Sequence, residues 1–465
     1  MMKKFCVLLL LSVSFFASAK EYTFSPEDIP AMKQLLGGGN LKPGDVVILK
    51  DGAYNNLEEI HFTGQGVFGK PVVWRAENPG KAIISGRLNL KVYGEYLQLE
   101  DLFFYKAWAI RHDMIDFQKE HGIYASNCRM TRCVIDECND PQKGSRPREG
   151  DEYWVGLRGT NNRIDHCYFA NKRVGGLVLQ VWLHADSHLN NHLIDHNFFG
   201  ERQLYGGNGA EIIRIGHSWS SQLESRTIVE DNVFFRCNGE NEIISVKSCH
   251  NVLRRNLFYE SAGGLVCRHG HYNVIESNTF IGHNLRETAG IRIINQGHTV
   301  YNNYVKDVRS FGLLVRVGVY ERPTAETDVK KEPLTSYHRV ENVDIAYNIF
   351  LNSSLELGTG RGEKMPRNVR FAHNLFAGRT PELKIVRTDE VLPGFLFLDN
   401  QWAFPDKNSL ATVPYDRVRA GFKTAEIPVG LEKMERERVD ACIFAAGPLW
   451  YEALKENVNY IDMHR

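Results

Sequence analysis

The sequence predicts an all-β chain folded as a right-handed parallel β-helix, a solenoid, on three observations. A short phrase recurs along it: Asn, any residue, then Phe or another large apolar residue. Copies stand at Asn197-Phe-Phe199, Asn232-Val-Phe234, Asn256-Leu-Phe258, Asn278-Thr-Phe280, Asn302-Asn-Tyr304, Asn348-Ile-Phe350 and Asn374-Leu-Phe376. From Asn232 to Asn302 the spacings are 24, 22 and 24 residues, a period that marks stacked coils. The apolar runs between copies alternate and are too short for helices. A propeller needs roughly 40–50 residues per blade and fits less well.

Taken in order, Met1 to Ala19 reads as a signal peptide. Lys3 and Lys4 precede an apolar run, and Ala17-Ser18-Ala19 fits a cleavage site. Residues 20–465 are then one domain, expected to be secreted or periplasmic. No later apolar run reaches the ~18 residues needed to span a membrane, so no membrane insertion is expected. Ser25 to Leu36 reads as an N-terminal helix capping the open end of the coils, with Ser25 as N-cap, Pro26 in the first turn and Gly37 to Gly39 as the stop. Pro30 moves its expected start toward Asp28. Pro43 to Leu49 and Pro71 to Arg75 then contain short strands, with turn signals between them. Degenerate copies of the phrase stand at Cys133-Val-Ile135 and Cys167-Tyr-Phe169. Each Phe is expected to point inward as a ladder, and each Asn to bond backbone groups at a tight bend. Loops at about 139–153 and 318–338 interrupt the coils, as walls of a groove or as solvated insertions. Beyond Asp399 the phrase fades, and about 380–465 is expected to be an irregular C-terminal cap.

Composition narrows the function. Lys+Arg and Asp+Glu both number 56, so the net charge is zero and gives no general attraction to nucleic acid or membrane. Any polyanion must be held by a local basic patch. The eight cysteines beyond the signal have no paired spacing and read as buried small apolar residues.

The chemistry concentrates between Asn208 and His271. Asn208, Glu240 and Glu242 are hard oxygen donors of the kind calcium prefers. Lys247 and Arg268 lie 21 positions apart, about one coil. Two carboxylates, an amide, a lysine and an arginine on neighbouring strands can make an acid/base site beside a metal. Arg214, His217, His269, His271, Arg292 and Arg316 are candidates for binding a polyanion. Arg268 and Arg292 each precede their repeat Asn by ten residues, which predicts one column of arginines on adjacent rungs. His269-Gly-His271 alone is a weak metal motif, and the oxygen-rich set beside it argues for Ca²⁺.

Glu240-Asn-Glu242, Lys247-Ser248, Arg268-His-Gly270 and Asn208 resemble the motifs of polysaccharide lyase family six, which contains alginate lyases and chondroitinase B. The resemblance extends from Pro43-Gly-Asp45 to about Asn374. It implies a parallel β-helix, a calcium ion and β-elimination of a uronate polymer. It implies Asn208, Glu240 and Glu242 as calcium ligands, Lys247 as base and Arg268 as acid. Chemistry supports such roles: the C5 proton of a uronate is weakly acidic, and a cation on the C6 carboxylate stabilises the charge left by its removal. A neighbouring cation and Arg268 disfavour the charged form of Lys247 and so suit it as base. Arg268 keeps its proton at any working pH, so it either donates as acid or stabilises the leaving O4 while water or His269 supplies the proton.

The partner is therefore an acidic polysaccharide. Alginate is favoured over dermatan sulfate because Gly290 to Asn302 resembles the alginate-acting members. A β-helix glycoside hydrolase would use Glu240 and Glu242 as a carboxyl pair and leave Lys247 and Arg268 idle. A non-enzymatic glycan-binding protein would form no product.

Overall fold

The computed structural model describes residues 19–143, 151–323 and 335–464. The expected signal peptide, apart from Ala19, and the middles of both inserted loops lie outside the described residues.

The chain winds as a right-handed parallel β-helix with three faces. Among the described residues, one face is a sheet of fourteen strands, running from Glu21–Phe24 through Val46–Leu49 to Phe395–Leu398. The other two faces are strips of one continuous sheet, joined through the long strand Ala82–Glu95, which pairs with strands of both. Neighbouring coils pair in parallel throughout. Gln118–Glu120 and Ile123–Ser126 form an antiparallel pair beside them.

The repeated phrase builds this stack. Phe169, Phe199, Phe234, Phe258 and Phe280 stack face to face inside, with successive centroids 5.1, 5.0, 4.8 and 4.4 Å apart. The Asn column runs beside them. Asn278 Oδ1 accepts the backbone N–H of Asn256 at 3.1 Å, and Asn278 passes its own N–H to Asn303 Oδ1 at 3.0 Å. The same relay runs from Cys167 through Asn197 and Asn232 to Asn400. Each Asn satisfies the amide of the coil below, which a tight bend leaves without a ladder partner. One expected copy is displaced. The ladder residue is Asn303, not Asn302, and Val305 rather than Tyr304 continues the inward column opposite Phe280.

A second relay occupies another bend. Asn162, His192, Asn251, Asn273 and His298 each accept a backbone N–H from the preceding coil. Burial holds His192 and His298 neutral, pushing them down to about 3 and about 4.

The N-terminal helix begins where Pro30 demands: Pro26–Asp28 is a 3₁₀ turn and Ile29–Gly37 the α-helix. Met32 and Leu36 are buried and join the core at the first coils. The eight described cysteines are free and buried.

The end of the chain, expected from about 380 as an irregular cap, buries Val391, Leu392 and Val418 in the core at the last coils. It adds Asn400–Ala403 and Phe422–Thr424 to the stack, then forms helices Leu431–Ile443 and Glu452–His464. These do not close the end. They lie along the flank, where Val439, Ile443, Leu454 and Ile461 cover Tyr168, Phe198, Phe235 and Tyr259. The strip they cover presents apolar residues outward, so it must be hidden from water. No described helix is long and apolar enough to cross a membrane.

Candidate active site

The site lies on the uncovered strip, built from Ile213–Gly216, Glu242–Lys247, Gly263–His269, Thr288–Ile293 and Leu313–Arg316. In-register pairing sets Arg214 beside Ser245, Ser245 beside Val266, and Val266 beside Arg292. Lys247 pairs with His269, and the register slips between Val246 and Lys247. Arg268 is the extra residue of that bulge. A bulge re-aims its side chain, and here it sends the guanidinium toward Glu242.

Two contiguous clefts share Asn208 and Glu240. One, of about 510 Å³, is lined by Asp151, Glu211, Arg214, Lys247 and Arg268 as well. The other extends past Gly263 to Arg292 and Phe311. At their junction carboxylate oxygens of Glu211, Glu240 and Glu242 lie within 4.8 Å of one another. Glu211 was not among the expected residues, yet its signal is in the sequence. Glu-Ile-Ile occurs at 211–213 and again at 242–244, one coil apart, and Ile213 pairs with Ile244.

Three buried carboxylates repel unless a cation or a proton intervenes. Burial, Glu211 and Glu242 push Glu240 up to about 8. Glu211 Oε2 is buried with no hydrogen-bond partner among the described residues. Glu242 is different: burial pushes it up, but Arg292 and Arg268 outweigh that and hold it below the ordinary carboxylate range. Its Oε1 receives both guanidinium groups and its Oε2 accepts Ser245 Oγ at 2.5 Å. An all-oxygen set with an unpartnered buried carboxylate oxygen fits a hard divalent cation.

Lys247 faces this cluster. Its Nζ is 3.5 Å from Glu211 Oε1, and Arg214 Nη1 is 3.7 Å from the same oxygen. Burial pushes the Lys247 ammonium below its ordinary value, with Arg214 and Arg268 acting in the same direction and Glu211 opposing. Arg214 is fixed by Gln180 Oε1 at 2.5 Å and Tyr153 Oη at 3.0 Å.

The remaining candidates separate. Arg268 and Arg292 are two residues out of register and meet only through Glu242, so they do not form a single column. Arg316 lies 5.1 Å from the centroid of the Tyr337 ring, which also faces Arg268 at 6.0 Å. Tyr337 is a site neighbour that the coil spacing does not reveal, because it comes from an insertion. His217 stacks 6.5 Å from Trp182, and burial lowers its pKa, with Arg214 and Lys247 adding to the effect. His269 is buried against Ser336 O at 3.1 Å and is pushed down to about 3, first by burial, so its ring is neutral. His271 is fully buried, stacked 5.4 Å from His338 and bonded to Gln222. Its full burial removes it from the surface that a polymer would meet.

Comparisons with known proteins agree with this architecture. The family model described as Chondroitinase B matches residues 33–391. A solved structure of a mannuronic acid specific polysaccharide family 6 lyase from human gut microbiota is 85% identical, with TM-score 0.95, covering 96% of this chain and 100% of its own. The PL6 family alginate lyase AlyGC is 33% identical, with TM-score 0.75; the match covers 88% of this chain but 53% of AlyGC, so the chain spans about half that protein's length. No curated protein matches the chain. A PL6 alginate lyase in complex with a trisaccharide, 21% identical with TM-score 0.71, shares the fold. The chain belongs to the chondroitinase B family, polysaccharide lyase family 6, and is a polysaccharide lyase.

Proposed function

We propose that the protein is an exported, calcium-dependent alginate lyase that cleaves mannuronate-rich chains by β-elimination. The observation that carries the reading is the Lys247 amine, 3.5 Å from Glu211 on the rim of the acidic pocket and flanked by Arg214 and Arg268. The 85% identity to a mannuronic acid specific lyase supports the substrate. Met1 to Ala19 supports export.

Glu211, Glu240 and Asn208 would hold the calcium, with Glu242 shared between it and the arginines. When bound, calcium neutralises the substrate C6 carboxylate and makes the C5 proton more acidic. Lys247, its charged form disfavoured by burial, takes that proton. The C5–H electron pair becomes the C4–C5 double bond, and the C4–O4 bond breaks. Arg268 donates hydrogen bonds to O4 as negative charge develops there, and solvent supplies its proton. Arg214, Arg292 and Arg316 hold carboxylates of neighbouring sugars.

The test is incubation with polymannuronate, polyguluronate and dermatan sulfate. The expected result is ultraviolet absorbance from unsaturated uronate, strongest on polymannuronate. Activity on dermatan sulfate alone would replace the substrate and keep the mechanism. Reducing ends without absorbance would mean hydrolysis, and no product would mean a binding protein.

A further inference from the structure

Behind the acidic pocket lies a buried arginine that the elimination chemistry does not use. Arg202 is only 2% exposed. It follows strand Phe198–Phe199, and its backbone is locked between neighbouring coils: its N–H bonds Arg236 O at 3.1 Å, and its carbonyl accepts Asn238 N–H at 2.9 Å. Its guanidinium turns inward beneath the pocket. Nη1 donates to Glu211 O at 3.0 Å, and Nη2 donates to Gly176 O at 2.7 Å and Val174 O at 3.2 Å.

These contacts reach the loops that carry the carboxylates. The Glu211 bond fixes the backbone of the residue whose Oε2 is unpartnered. Gly176 N–H in turn bonds Gly209 O at 2.8 Å, beside Asn208, and Gly209 N–H bonds Glu240 Oε2 at 2.9 Å. Gly239 packs directly on the same guanidinium: a Cβ there would lie 2.8 Å from Arg202 Nε and 2.4 Å from Ala210 O. Only glycine lets the chain pass over Arg202 immediately before Glu240. One planar cation with several donors thus ties together the segments bearing Asn208, Glu211 and Glu240. A lysine presents a point charge and cannot span the same carbonyls.

We infer that Arg202 is the positioning residue of the acidic pocket, holding the Glu211 and Glu240 loops in a cation-ready arrangement before any ion arrives. The inference rests on the proposed calcium site and concerns affinity rather than turnover. Groups that orient metal ligands from behind typically change affinity 10–100-fold when removed.

The experiment is calorimetric titration of calcium into metal-free full-length enzyme for wild type, Arg202→Met, Arg202→Lys and Gly239→Ala. Arg202→Met is expected to weaken calcium binding at least ~10-fold, with Arg202→Lys recovering only part. At saturating calcium its kcat is expected to return toward wild type. Should Arg202→Met not fold, Gly239→Ala disturbs the same contact and carries the same expectation. Wild-type affinity in a folded variant, whatever its Tm, would overturn the positioning role. If wild type itself binds no calcium, the calcium reading fails and this inference falls with it.

Discussion

Arg268 Nη1 lies 2.5 Å from Glu242 Oε1, the same oxygen that Arg292 Nη2 engages. This shared contact divides the acidic cluster into two kinds of carboxylate. Glu242 is neutralised by protein cations and is structural as well as chemical. Glu240 is pushed up by burial and by its two neighbours, and Glu211 keeps one buried oxygen without a partner among the described residues, while Lys247 and Arg214 approach its other oxygen.

The division predicts opposite effects of two substitutions. Glu242→Ala leaves the guanidinium of buried Arg292, whose Nε already has no partner among the described residues, without its counter-ion. It should cost about 3–5 kcal/mol even without calcium. Glu240→Gln removes a like-charge repulsion and should leave the metal-free protein at least as stable as wild type. It should also remove the stabilisation that calcium gives. Thermal unfolding with and without calcium distinguishes the two.

Lys247→Ala should reduce elimination by at least ~10²-fold, the usual contribution of a positioned base. The Tm should fall only modestly, because the 3.5 Å contact to Glu211 is long and Arg214 remains on the same oxygen. Near-normal turnover in the folded variant would remove Lys247 from the base role.

The Asn column should matter for stability alone. In Asn278→Ala, the Asn256 backbone and side-chain amides lose their acceptor, and Leu253 O loses a donor. Buried groups left unpaired should together cost at least about 2 kcal/mol. Denaturant unfolding would show this, while calcium affinity should not change.

Much of this was legible because coil stacking converts sequence spacing directly into neighbours. The Phe and Asn columns are visible since a tight bend needs the same side chain on every coil. The register was less legible. Two adjacent asparagines at 302 and 303 hide which one bends the chain, and the slips at Gly263–Leu265 and Val246–Lys247 shift Arg268 relative to Arg292. Equal distances from a landmark therefore did not give equal heights. Glu211 stood next to a stretch rich in turn residues, and only its repeated Glu-Ile-Ile context marks it. Tyr337 and the flank-covering helices come from outside the coil repeat, where period carries no information.

Acid should destabilise the protein earlier than its carboxylates alone would. His192 and His298 are neutral when folded, at about 3 and about 4, against an ordinary value of 6.5. The unfolded chain binds the extra protons, so the stability they give is complete above pH 6.5 and is lost as pH falls through that value toward 4 and 3. Unfolding free energy measured from pH 7.5 to 4.5 should decline with falling pH, and His298→Asn, which keeps an acceptor for Asn273 N–H, should flatten the decline. A pH-independent stability in that range would contradict this.

The most direct test follows the unsaturated-uronate absorbance while calcium is added stepwise to metal-free enzyme on polymannuronate, for wild type and Glu211→Gln. The account predicts no absorbance before calcium, saturable recovery in wild type, and recovery in Glu211→Gln only at calcium concentrations at least ~10-fold higher. Full activity in exhaustively chelated wild type, with no metal detectable in the protein, would contradict it.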